Sequence, residues 1–62
     1  MNRRLKAKII EKFGTQSEFA QIAGIDETFV SRVVRNRRKL RPEEQRFWSR
    51  LLGVKPEEVF SN

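Results

Sequence analysis

Glu27, Thr28, Ser31, Arg32 and Arg35 follow one another at steps of one, three, one and three residues. At about 100° of rotation per residue they share one half of a helix, and Phe29, Val30, Val33 and Val34 take the other half. A face kept polar only for solubility favours Lys, Glu and Gln. Thr and Ser are mediocre helix formers with compact hydroxyls, so something other than helicity selects them. The chemistry open to such a face is hydrogen-bonded recognition. The chain has no cysteine and no histidine, which excludes disulfides, thiolate or imidazole metal ligands and Cys/His or Ser/His catalysis. Carboxylates remain as acid/base groups. Glu27 with Glu18, or Glu57 with Glu58, are the conceivable pairs, but each sits where a helix start accounts for it. No catalytic residue, metal ligand or cofactor site is expected, and the chain is read as a non-enzyme.

A second kind of chemistry lies in the charge. From Arg32 to Arg41 the cations Arg32, Arg35, Arg37, Arg38, Lys39 and Arg41 occur without an anion among them, and Arg3, Arg4, Lys6, Lys8 and Lys12 form another group. Over 62 residues, 14 Lys and Arg face 8 Asp and Glu, a net charge of +6. That excess on a small body points to a polyanionic partner. For the N-terminal group a solvated face or a loose tail is an equal alternative. The internal run lies between two segments of helical periodicity and cannot dangle.

These residues need elements to hold them. Leu5, Ile9, Ile10 and Phe13 fall in one arc of a first helix over about Asn2 to Phe13, which Gly14 ends in a left-handed conformation. The stretch "TQSE" reads as a capping box, with Thr15 accepting from the third amide and Glu18 reaching back. The second helix turns Phe19, Ala20, Ile22 and Ala23 inward until Gly24 closes it. Asp26 caps a third helix, and "GID" is short enough to fix the two helices at a steep angle. Asn36, able to adopt the left-handed conformation, stops the third helix before the basic loop "RRKLR". Pro42, Glu43 and Glu44 open a fourth helix with Phe47, Trp48, Leu51 and Leu52 as its buried arc. Gly53 ends it, and "KPEEVF" repeats the start signal for one closing turn that places Val59 and Phe60 on the core. The expected fold is all-α, a compact bundle of four helices plus a short fifth, in one domain over 1–62. A chain of this length buries only about 60% of its unfolded surface. Apolar runs reach only two or three residues, far below the ~20 that span a bilayer, and the charged N-terminus does not read as a signal peptide. A cytoplasmic protein with no membrane partner is expected.

The stretch "TQSEFAQIAGIDETFVSRVVRNRRK" resembles the signature of the Cro/cI-like (XRE) helix-turn-helix family, the lambda-repressor-like DNA-binding domain, and "RFWSRLLGVKPEEVF" resembles its fourth and fifth helices. The features that carry the resemblance are Gln16, Ala20, Gly24, Val30, Ser31 with Arg32, and "LLGV" at Leu51 to Val54. The resemblance implies a helix-turn-helix over about 15–35 whose third helix meets base edges through Glu27, Thr28, Ser31 and Arg32. It implies phosphate contacts through Gln16 and Ser17 at the second helix start, and through Arg35, Arg37, Arg38 and Lys39. Base chemistry agrees with that division: arginine pairs bidentately with guanine, a carboxylate accepts from cytosine N4, and a threonine methyl packs on thymine. The implied function is sequence-specific binding of double-stranded DNA by a small phage-, plasmid- or mobile-element-type repressor, a weak homodimer completed on a palindromic operator, with no small-molecule ligand. A protein-interaction module such as an antitoxin, or a sequence-blind nucleic-acid binder, is the alternative. Asn36, Val34, Phe29 and Trp48 depart from the family pattern, the two aromatics being either core or an interface.

Overall fold

Asn2 begins the first helix by accepting the Leu5 amide on its Oδ1 at 3.1 Å, and each later helix start has a comparable local cause. The computed structural model describes residues 1–60, so the last two positions of the expected 1–62 domain lie outside the described residues. The helices are α1 (Arg3–Phe13), α2 (Gln16–Ala23), α3 (Glu27–Val34), α4 (Pro42–Leu52) and α5 (Pro56–Phe60), with no strand among the described residues. Thr15 Oγ1 accepts from the Glu18 amide at 3.0 Å. The return bond expected from the Thr15 amide to the Glu18 carboxylate is not formed among the described residues, so α2 keeps half of the box. Asp26 stands at the start of α3 without a side-chain cap bond; its carbonyl takes the Phe29 and Val30 amides instead. α4 and α5 start alike. Each has proline first, and a glutamate three residues after the cap accepts the cap amide: Glu44 from Arg41 at 2.8 Å and Glu58 from Lys55 at 2.6 Å.

Three helices stop by one device. The amide after the left-handed residue bonds back five positions and that residue's own amide bonds within the same turn, satisfying carbonyls that a helix end otherwise leaves open. Ile25 and Gly24 do this for α2, Arg37 and Asn36 for α3, and Val54 and Gly53 for α4. Asn36 has a φ of 62°, as the sequence leads one to expect of the only non-glycine residue at such a position among the described residues. Gly14 differs: its φ is 87° but its ψ is −45°, outside the left-handed helical well expected for it, and α1 ends on a single bond to the Ile10 carbonyl.

Leu5, Ile9, Phe19, Val30, Val34 and Leu52 are sealed from solvent, with Trp48 among them at 2% exposure. Trp48 is a hub. Its indole meets Phe19 at 5.0 Å, Phe29 at 6.1 Å and Phe60 at 6.4 Å, all edge to face, and Phe19 meets Phe13 in the same way at 5.2 Å. Each such pair adds about 0.5–1.5 kcal/mol to what burial alone supplies. Of the two readings of this tryptophan, the core is therefore the one observed within the chain.

Three expected core residues are not core. Ile10, Ile22 and Phe47 are 43%, 61% and 45% exposed. In a body measuring 24 × 23 × 20 Å each helix has few neighbours, and the strip it buries is narrower than the apolar half of its wheel. Conversely, Leu40, which the sequence places in the basic loop, is buried, as is Ser49, whose Oγ has no hydrogen-bond partner among the described residues. Asn2 also does more than begin a helix. Its backbone amide donates to the Val34 carbonyl and its Nδ2 to the Val59 carbonyl, both at 2.6 Å, tying the start of α1 to the end of α3 and to α5. Among the described residues no helix is long and apolar enough to cross a membrane.

Candidate nucleic-acid interface

α3 is held from one side only. Val30, Val33 and Val34 are buried and Phe29 is half-buried, which fixes the rotation of the helix about its axis. The opposite flank is thereby turned outward. Glu27, Thr28, Arg32 and Arg35 are exposed, and Ser31, nearer the boundary, is half-buried. All five expected polar positions thus lie on one accessible side, with hydrogen-bonding groups that no neighbour occupies: among the described residues neither Glu27 nor Arg32 forms an ion pair or a side-chain hydrogen bond.

Below this flank the chain leaves α3 at Asn36 with a bond from the Arg37 amide to the Arg32 carbonyl at 2.8 Å. Arg37, Arg38 and Lys39 follow, all exposed, before Leu40 returns to the core. The Gln45 side-chain amide donates to the Leu40 carbonyl at 3.1 Å, which anchors the far end of the loop to α4. Among the described residues the cations between these two anchors form no ion pair with a carboxylate. Among the described residues the only ion pair joins Lys8 and Glu11 on α1, at 3.4 Å, and Glu44 and Glu58 are engaged at helix starts. Positive potential over the loop is therefore not neutralised locally.

One contact joins loop and helix through side chains. The Arg38 guanidinium lies over the Phe29 ring, 4.8 Å from its centre. Sequence reading did not find this stack; a Phe and an Arg nine positions apart across a loop carry no periodic signal. At the start of α2, Ser17 is exposed and Gln16 half-buried, and Thr15 Oγ1 occupies the Glu18 amide. The Gln16 and Ser17 amides precede that bond and form the positive end of the helix dipole, a setting suited to an anion. The N-terminal group of cations belongs to α1, with Arg3, Arg4, Lys6 and Lys12 exposed and Lys8 half-buried, so it is a helix face and not a loose tail. Among the described residues no group of histidine, cysteine or carboxylate side chains has the clustering of a metal site.

A family model described as "Protein of unknown function (DUF739)" matches residues 2–61. No curated protein and no solved structure matches the chain. Because the family match runs over almost the whole length, the chain belongs to the DUF739 family.

Proposed function

We propose that this DUF739 member is a sequence-specific double-stranded DNA-binding protein, a small transcriptional regulator of the Cro/cI-like kind acting in the cytoplasm. In this reading α2, the connection 24–26 and α3 form a helix-turn-helix within a lambda-repressor-like arrangement, and α3 enters the major groove. The observation that carries the reading is the two-sidedness of α3: a valine face locked in the core and an unpaired flank of Glu27, Thr28, Ser31 and Arg32 turned outward. Arg32 is suited to guanine, Glu27 to the cytosine amino group and Thr28 to a thymine methyl. Gln16, Ser17, Arg35, Arg37, Arg38 and Lys39 are assigned to phosphates. With the four cations of that set engaged, log affinity falls against log salt with a slope of about −4.

A helix-turn-helix of this size reads a short half-site, so the protein is proposed to bind as a weak homodimer completed on a palindromic operator, with half-sites about 34 Å apart. Selection of bound duplexes from a random pool tests the whole proposal. An enriched inverted repeat is the expected result; a pool without enrichment rejects sequence reading, and independent filling of single sites rejects the dimer. Substitution then separates roles. Arg32→Ala should relax base preference while Arg37→Ala weakens all duplexes alike, and a preference unaltered by Arg32→Ala argues for sequence-blind binding. The reading as a protein-interaction module that docks through Phe29 and Trp48 loses one of its two contacts, since Trp48 is enclosed, and is left with half-buried Phe29 and with Phe47, which is exposed.

A further inference from the structure

We infer that Phe29 is a positioning residue for duplex binding, its ring holding the Arg38 guanidinium beside α3 before nucleic acid arrives. This rests on the DNA-binding reading above and adds a device to it. Phe29 is the half-buried member of the valine face, next in sequence to Thr28 and one turn before Arg32 and Val33. One side of its ring is fixed by the indole of Trp48, at 6.1 Å and 76°, and Trp48 is itself clamped by Phe19 and Phe60. That contact packs the ring against the core, and the Arg38 guanidinium rests over it at 4.8 Å.

The stack suits a group that must still bind something else. A guanidinium stacks through its flat face and donates through its edge, so resting on an aromatic ring leaves the N–H fork free for a phosphate. A carboxylate partner would fix Arg38 equally well but would occupy that fork and cancel its charge. Among the described residues Arg38 has no such partner, and Arg37 and Lys39 on either side have no comparable hold. Arg38 is thus the loop cation whose side-chain freedom is reduced in advance, which lowers the ordering cost at the moment of binding.

The test is a double-mutant cycle on a duplex recovered by selection, with Phe29→Leu, Arg38→Ala and the combined variant, at a temperature where circular dichroism shows all of them folded. Leucine keeps the apolar packing and removes the ring. Phe29→Leu should weaken binding about threefold when Arg38 is present, the scale of an exposed cation–π contact, and should have no effect when residue 38 is alanine. Phe29→Tyr, which keeps the ring, should restore wild-type affinity. A purely structural role would produce the same loss in both backgrounds and overturns the inference while leaving DNA binding intact. In the wild-type protein, without any substitution, the Arg38 side-chain protons should be shifted upfield of those of Arg37 by the ring current; equal shifts overturn it as well. Failure of the wild-type protein to bind any duplex removes the DNA-binding reading, and the inference with it.

Discussion

α2 and α3 end on the same pair of backbone bonds, yet the chain behaves oppositely after each. Past Gly24 comes Ile25, half-buried against the core, and α3 begins at once. Past Asn36 comes Arg37, exposed, and the chain stays in solvent until Leu40. The backbone device determines that a helix stops and in which direction the chain leaves. The next side chain determines whether the succeeding segment is drawn to the core or left free, and here the free segment is the one that carries unpaired cations.

Four substitutions break or sharpen this contrast. The largest effect is expected at Leu40, the apolar anchor that ends the second connection: Leu40→Ala should cost about 3 kcal/mol in denaturant unfolding, and a loss below about 1 kcal/mol would mean the loop is not anchored there. Gly24→Ala comes next. A side-chain carbon at Gly24 would meet nothing within 4 Å, so only its φ of 72° opposes it, at about 1–2 kcal/mol; thermal melting reads this, and no loss would contradict the left-handed stop. Arg37→Ala should leave stability within about 0.5 kcal/mol while lowering the salt slope of duplex binding by about one. Unfolding and binding titrations on one sample check both halves. The smallest effect is expected for Asn36→Gly, a few tenths of a kcal/mol in either direction, since both residues tolerate the left-handed conformation. A large loss would show that the asparagine side chain itself holds the loop.

Much of this was legible in the sequence because helix starts and stops are local events. Asn36, Gly24, Gly53, Pro42 and Pro56 act through the conformations open to their own backbone, and the structure places them where those conformations are needed. The orientation of α3 was legible for a related reason: four apolar residues at helical spacing admit one rotation. Features that depend on neighbours distant in sequence were not. Ile10, Ile22 and Phe47 sit on apolar arcs, but no second helix arrives to cover them. Leu40 is a lone apolar residue in a run of cations, where periodicity has no meaning, and Ser49 is small enough to be enclosed beside larger residues without being apolar. The aromatic hub and the Phe29–Arg38 stack bring together residues from α2, α3, α4, α5 and a loop, and no spacing rule reports on such meetings.

The bonds of Asn2 bear on how the molecule opens. Chain ends commonly fray first, because little ties them down. Here the first turn is clasped through one residue to the carbonyls of Val34 and Val59, so slow hydrogen exchange should extend almost to the N-terminus. The amide of Asn2 should then exchange together with the third helix as one cooperative unit, while the amides of Arg38 and Lys39, which have no backbone partner among the described residues, should exchange fast although they lie in the middle of the sequence.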